Sequence, residues 1–238
     1  MARPGSKLVN AALMAAYKRG YEIRKHPAGR RQNMFALRRV DLVLDVGGAD
    51  GGYGRELRQF GYGGRIVSFE PLANSYAELT ANIAKDPSWT ARNHALGDEA
   101  GEAQINVASN STSSSLLPMQ DSHREAEPSV GIIGQETIRV ERLDDVAAEV
   151  VRPADTVFLK VDTQGFERHV LAGGAVTLER SVGLQLELSF VSLYEGGMLA
   201  NEAISLAYDA GFHLEVIEQG WASRTGQMLQ ADGIFFRD

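Results

Sequence analysis

The chain is 238 residues long, 44% hydrophobic and 23% charged, which suits one large domain with its own core and is short for two. It has no cysteine, so disulfides, thiolate metal sites, iron–sulfur clusters and a cysteine nucleophile are excluded. The net charge is −7, but residues 1–40 carry ten Lys or Arg against the single acid Glu22, leaving an acidic remainder of −16 that argues against a nucleic-acid partner.

Lys7 to Ile23 is predicted as a helix, with Leu13, Tyr17 and Tyr21 recurring on one face and Pro27 and Gly29 ending it. Residues 1–40 are then a basic helical extension, and residues 41–238 form the main domain. Asp41–Val46 reads as a buried strand running into a glycine-rich turn. Tyr53–Phe60 is a helix, Arg65–Phe69 a strand ending at Glu70-Pro71, and Ser75–Ala84 a helix with Tyr76, Leu79 and Ile83 on one stripe. This alternation predicts a parallel sheet covered on both faces. Thr90–Leu96 is expected as a third strand and Gly101–Val107 as an edge strand. Ser109–Ser115 is a polar tract expected to be loop, and the irregular stretch on to Gly134 is a candidate lid over a substrate. Regular elements resume with Glu136–Val140 (strand), Leu143–Val150 (helix), Thr156–Val161 (strand), Phe166–Leu171 (helix) and Gly183–Leu188 (strand). Asn201–Ala210 is a helix stopped by Gly211, and Phe212–Glu218 and Asp232–Arg237 are closing strands. No apolar run reaches the roughly 20 residues that span a bilayer, and Met1–Lys7 lacks the apolar core of a secretory signal. A cytoplasmic protein is expected, and self-association into a homo-oligomer stays open.

In open α/β sheets ligands bind beyond the carboxyl ends of the strands. Four such ends carry distinctive residues. Asp45-Val-Gly-Gly-Ala-Asp-Gly-Gly-Tyr-Gly54 combines an acid with glycines that permit close ligand approach, ahead of a helix offering backbone N–H groups. Glu70, 25 residues after Asp45, ends the next strand, where an acid suits ribose hydroxyls. Together they predict a nucleoside-containing cofactor. The loop has neither the G-x-G-x-x-G register nor a Walker A lysine, and the only Tyr-x-x-x-Lys, Tyr21 to Lys25, precedes the loop. An S-adenosylmethionine site fits better, with Asp45 suited to the amine. The other two strand ends bring Asp162 and Glu187, two carboxylates that can hold a hard divalent ion or accept a proton. His123, from the irregular stretch, is a candidate general base. Trp221, between Gly220 and Gly226, is a candidate platform for a sugar face, and Trp89 is expected in the core or at its rim.

These residues carry a resemblance. Asp45-Val-Gly, Phe69-Glu-Pro71, Ala95-Leu-Gly-Asp98, Leu159-Lys-Val-Asp-Thr-Gln-Gly-Phe-Glu167 and Asp232-Gly-Ile-Phe-Phe-Arg237 resemble the FkbM family of S-adenosylmethionine-dependent O-methyltransferases, over about residues 41–237. Within it the sequence is similar to members that methylate sugar hydroxyls in glycolipids, polysaccharides and polyketide antibiotics. The loop departs from the family's Asp-Val-Gly-Ala-Asn-x-Gly: Gly48 and Ala49 stand in place of Ala and Asn, with Asp50 as the nearest substitute. The resemblance implies a doubly wound, Rossmann-like, mostly parallel seven-stranded sheet with a C-terminal antiparallel strand. The cofactor set so expected is Asp45, Gly47, Gly48, Tyr53, Glu70, Pro71, Ala95 and Asp162. The expected catalytic set is Asp162, His123 and Glu187, with Mg2+ on Asp162 and Glu187 as an optional participant. The implied reaction is methyl transfer to a hydroxyl of a carbohydrate-containing acceptor. An NAD-linked reductase of the same fold class and a non-catalytic binding subunit are the rival readings.

Overall fold

The computed structural model describes residues 4–21 and 26–237. In chain order it contains α1 (Pro4–Tyr17), α2 (Pro27–Arg38), β1 (Leu42–Val46), α3 (Gly52–Gln59), β2 (Arg65–Phe69), α4 (Ala73–Ile83), β3 (Trp89–Arg92), β4 (Ala95–Gly97) and β5 (Gly101–Ala108). There follow a single 3-10 turn (Ser111–Ser113), α5 (Asp121–Ala126), β6 (Ile132–Arg142), α6 (Leu143–Val150), β7 (Val157–Val161), α7 (Glu167–Ala172) and α8 (Ala175–Arg180). The chain closes with β8 (Ser181–Ser189), α9 (Ala200–Asp209), β9 (His213–Gln219) and β10 (Gln230–Phe236).

Seven strands form one sheet in the order β3-β2-β1-β7-β8-β10-β9. The first five are parallel, and β10 runs antiparallel to both β8 and β9. This is the doubly wound, Rossmann-like architecture with its antiparallel C-terminal strand. β1 and β7 lie side by side at the centre, covered on both faces, so all five residues of each are buried and their sequences are continuous apolar runs broken only by Asp45 and Lys160. Strand order reverses beside β1, and that switch point opens the crevice that carries the site.

Several expectations need correction. Pro27 begins a helix instead of ending one: at the first helical position its missing N–H and fixed φ cost nothing, and the His26 side chain accepts the Ala28 N–H at 3.2 Å. The resulting α2 buries Ala28, Arg31, Met34 and Phe35, with the Phe35 ring 4.5 Å from that of Phe158, so residues 27–38 pack with the α/β body. The first helix, expected to reach Ile23, ends at Tyr17, with a turn over residues 18–20 in which Gly20 takes φ +81°; Ile23 itself lies outside the described residues. Thr90–Leu96 is two strands. The Asn93 amide donates to the carbonyls of Glu70 and Pro71, at 2.9 and 3.0 Å, and turns the chain out of the main sheet. β4 then joins a second, three-stranded sheet, β4-β6-β5.

The serine tract is not a free loop. Ser113, Ser114 and Ser115 are buried, and their hydroxyls and backbone tie the segment down. Ser115 exchanges backbone hydrogen bonds with Asn106, its hydroxyl donates to the Gln164 carbonyl at 2.7 Å, and Ser114 Oγ accepts the Ala108 N–H at 3.0 Å. Short hydroxyl side chains thus supply the partners that a sheet would otherwise give. The irregular stretch beyond it contains α5 and the first residues of β6. Finally, α8 has too few residues to show a period in sequence; the Asp144 carboxylate caps it by accepting the N–H groups of Val176 and Thr177, at 3.1 and 2.8 Å.

Candidate active site

The glycine turn after β1 is shaped by how closely β7 approaches. Gly47 has φ +78°, and a Cβ there would lie 1.8 Å from the Asp162 carbonyl oxygen, so only glycine fits. The N–H groups of Gly47 and Gly48 both donate to the Phe69 carbonyl, at 3.0 and 2.9 Å. Ala49 takes a left-handed conformation, φ +45°, an uncommon one for a residue with a side chain, and its N–H donates to Glu70 Oε2 at 2.9 Å. The turn therefore spends these donors on holding β1 to the end of β2.

Glu70 sits where that arrangement converges. Its second oxygen accepts the Leu72 N–H at 2.9 Å, and the residue is buried. Burial lifts its carboxyl to about 7, against the two backbone N–H groups that pull it down. Glu70 lines a cleft with Gly47, Pro71, Leu72, Ala95, Phe166 and Asp162, and a carboxylate oxygen that accepts one N–H has capacity for a second donor.

Asp45 is placed differently from its expected role. It is fully buried, with Oδ1 3.1 Å from Lys160 Nζ, and Oδ2 accepts the Ser68 hydroxyl at 2.7 Å. Trp89, a core residue, donates through Nε1 to Ser68 Oγ at 3.0 Å. Lys160, buried as well, also donates to the carbonyl of Gly47 at 2.8 Å. Burial opposes the Lys160 charge, but Asp45 and Asp162 outweigh it and its ammonium is held well above the usual range. The pair anchors the turn from below; Asp45 does not line the clefts described here.

Three clefts meet at the carboxyl ends of β1 and β7. The first is the Glu70 cleft. A second is lined by Asn110, Thr112, His123, Gln164, Trp221 and Gln230, and a third by Arg31, Gly48, Tyr53, Lys160, Asp162 and Asp232. Thr112 borders all three, Asp162 the first and third, and Gln164 the first and second. Thr112, Gln164, Arg31 and Asp232 were not among the residues singled out in the sequence. Gln164 and Asp232 did leave a signal, since each stands in one of the motifs that carry the resemblance; in the structure Gln164 takes φ +55° just before Gly165.

Asp162 and Glu187 do converge, but around an amide. Gln164 Nε2 donates to Asp162 Oδ1 at 3.0 Å and to the Glu187 oxygens at 3.1 and 3.3 Å, while its Oε1 lies 2.9 Å from the Tyr194 hydroxyl that donates to it. An N–H donor occupies the position between the carboxylates where a cation would need an oxygen. Among the described residues no group of three or more His, Cys, Asp or Glu is arranged to hold a metal. The residues do not fit the divalent ion expected there. Burial, then Asp162, Glu167 and Asp232, hold the Glu187 carboxyl well above the usual range.

His123 lies on α5, buried, with its ring 5.0 Å from that of Trp221 and 5.5 Å from that of Tyr194. It borders the second cleft and not the first. Burial pushes its pKa below the ordinary histidine value, and Nδ1 has no protein partner. Tyr53 faces the third cleft, its hydroxyl donating to Gln185 Oε1 at 3.0 Å under the Arg31 guanidinium.

The methyltransferase FkbM domain matches residues 45–214. The 2-O-methyltransferase NoeI of Sinorhizobium fredii (strain NBRC 101917 / NGR234) is 26% identical over 174 residues, spanning 70% of this chain and 71% of that protein. Among solved structures, one assigned as an O-methyltransferase from Klebsiella pneumoniae superposes with TM-score 0.53 at 10% identity, covering 100% of this chain and 91% of that one. Aeropyrum pernix fibrillarin with natively bound S-adenosyl-L-methionine gives TM-score 0.46 at 11% identity, and this chain covers 82% of itself and 66% of that chain, just under two thirds of its length. The Klebsiella structure shares the fold. No helix among the described residues is long and apolar enough to cross a membrane. With the domain match covering most of the chain and the motifs in place along it, this protein belongs to the FkbM methyltransferase family of S-adenosylmethionine-dependent O-methyltransferases.

Proposed function

We propose that this protein methylates a hydroxyl of a sugar in a glycolipid, polysaccharide or glycosylated natural product, with S-adenosylmethionine bound in the Glu70 cleft. The observation that carries the reading is the junction of two clefts of different chemistry at Thr112 and Gln164. One is apolar with a single buried acid, and the other is aromatic and amide-lined. A nucleoside suits the first: Leu72, Ala95 and Phe166 offer apolar wall to a base, and Glu70 offers lone pairs to a ribose diol. The polar third cleft, floored by Gly48, Tyr53 and Asp162, suits an amino-acid end. When bound, the cofactor supplies an electrophilic methyl on a sulfonium. The chain must then align an alcohol and accept its proton, since a neutral hydroxyl is a poor nucleophile. His123, its pKa lowered by burial, borders the second cleft and is the group offered to take the proton. Asp162, at the junction of the first and third clefts, positions the reacting centre, and Gln164 fixes its carboxylate. Glu187, its carboxyl raised by burial and by the neighbouring acids, supports that arrangement through its contacts with the Gln164 amide. The 2-O-methyltransferase activity in the name of the S. fredii relative is consistent with oxygen as the acceptor atom.

The test is incubation of purified protein with labelled methyl donor and a glycan or glycolipid extract, read by mass spectrometry. Label on a sugar hydroxyl is the expected result. Label confined to a non-carbohydrate oxygen, or none with a protein shown to bind S-adenosylhomocysteine, overturns the acceptor assignment.

A further inference from the structure

The second cleft has walls whose chemistry selects among sugars. Trp221 stands on one side, partly buried, its carbonyl accepting the N–H groups of Leu229 and Gln230 at 2.9 and 3.1 Å. The turn beyond it is closed by Ser223 and Gln227, whose backbone groups bond at 2.8 Å. The His123 ring packs against Trp221 from within, so the indole is braced between its own strand end and the buried imidazole. The polar groups around it are the amides of Asn110 and Gln230, the Thr112 hydroxyl and the carboxylate of Glu127. None of the residues lining this cleft is a lysine or arginine, and burial lowers the pKa of its histidine.

We propose that this cleft seats an uncharged sugar ring of the acceptor, with Trp221 as its platform and Glu127 as the residue that rejects anionic sugars. The inference rests on the methyl-transfer reading above and adds to it which ring is admitted and by what. A pyranose has an apolar C–H face and a polar rim. The indole covers the face, while amides and hydroxyl serve the rim as donors and acceptors. A uronic acid, sulfated or phosphorylated ring would bring a negative charge beside Glu127 in a partly desolvated cleft without a counter-charge. The site selects by the absence of a cation as much as by the indole.

The experiment uses the full chain with labelled donor and matched oligosaccharide sets: neutral, uronic-acid-containing, sulfated and phosphorylated. Methyl transfer to neutral members in preference to their charged counterparts is expected. Trp221→Ala is expected to raise the acceptor KM by about tenfold while leaving S-adenosylhomocysteine affinity unchanged. Glu127 is half-buried and accepts a hydrogen bond from the Ser129 hydroxyl, so thermal denaturation is run on Glu127→Lys and Glu127→Gln, and the folded variants are expected to shift preference toward the anionic sets. Charged sets methylated as well as neutral ones by the unmodified protein overturn the inference and leave sugar O-methylation standing. An unchanged acceptor KM in Trp221→Ala overturns it likewise. Transfer to no carbohydrate at all, by protein that binds S-adenosylhomocysteine, instead brings down the acceptor reading on which it rests.

Discussion

Replacing Lys160 by methionine tests whether Asp45 is scaffold or cofactor ligand. In the structure the ammonium lies 3.1 Å from Asp45 Oδ1 and donates to the Gly47 carbonyl at 2.8 Å, with both side chains almost fully enclosed. Methionine keeps the stem's packing but leaves Asp45 as a buried carboxylate with Ser68 as its remaining donor. Removing one partner of a buried pair costs about 3–5 kcal/mol, because the abandoned charge cannot reach water. For a chain of this size that is a fall in melting temperature of about 6–20 °C. Converting Asp45 to asparagine in the same protein removes the stranded charge, so Asp45→Asn with Lys160→Met is expected to recover most of the loss. The assays are urea and thermal denaturation of the two single variants and the double variant, with S-adenosylhomocysteine affinity measured on those that fold. If Lys160→Met costs under about 1 kcal/mol, or the double variant is no better than the single, the anchoring role of the pair is refuted. If Asp45→Asn is stable but binds the ligand far more weakly, Asp45 is a ligand after all.

Further outcomes follow from the same geometry. Gly47→Ala is expected to cost about 2–5 kcal/mol, from its positive φ and the contact with the Asp162 carbonyl, whereas Gly63→Ala, with open space around it, should change stability little; denaturant midpoints compare them. Glu70 binds a ribose diol best when ionised, so S-adenosylhomocysteine affinity should fall as pH drops through about 7, and Glu70→Gln should flatten that dependence. The sign for folding is opposite: burial favours the neutral carboxyl, so Glu70 removes stability from the ligand-free protein as pH rises from 4.5 to about 7. With His123 as base, the acid limb of the rate profile should lie below the ordinary histidine value of 6.5 and vanish in His123→Asn; a limb unmoved in that variant refutes the role. Exhaustive chelation should leave turnover intact, because the Gln164 amide fills the place between Asp162 and Glu187; a loss restored by magnesium refutes this.

What the sequence determined by itself is the sheet and the places where chemistry gathers on it. β1 and β7 are buried on both faces, so their residues must be apolar nearly without interruption, and that is visible without a structure. Glu70 and Asp162 stand at carboxyl ends of strands, so a local pattern was enough to place them at the crevice. The tertiary structure alone decided what each polar group does there. Asp45 read as a carboxylate suited to an amine of the cofactor, but its partner Lys160 lies on the neighbouring strand, 115 positions along the chain. Asp162 and Glu187 read as a pair able to hold a divalent ion or accept a proton, and the structure puts between them the amide of Gln164, a residue at φ +55°. The serine tract read as solvent-facing loop, but its hydroxyls find backbone partners in β5 and in the turn after β7. Periodicity records which face of an element is apolar, a property of near neighbours. A buried polar group is defined by the partner that compensates its lost hydration, and that partner is chosen by strand order and turn geometry.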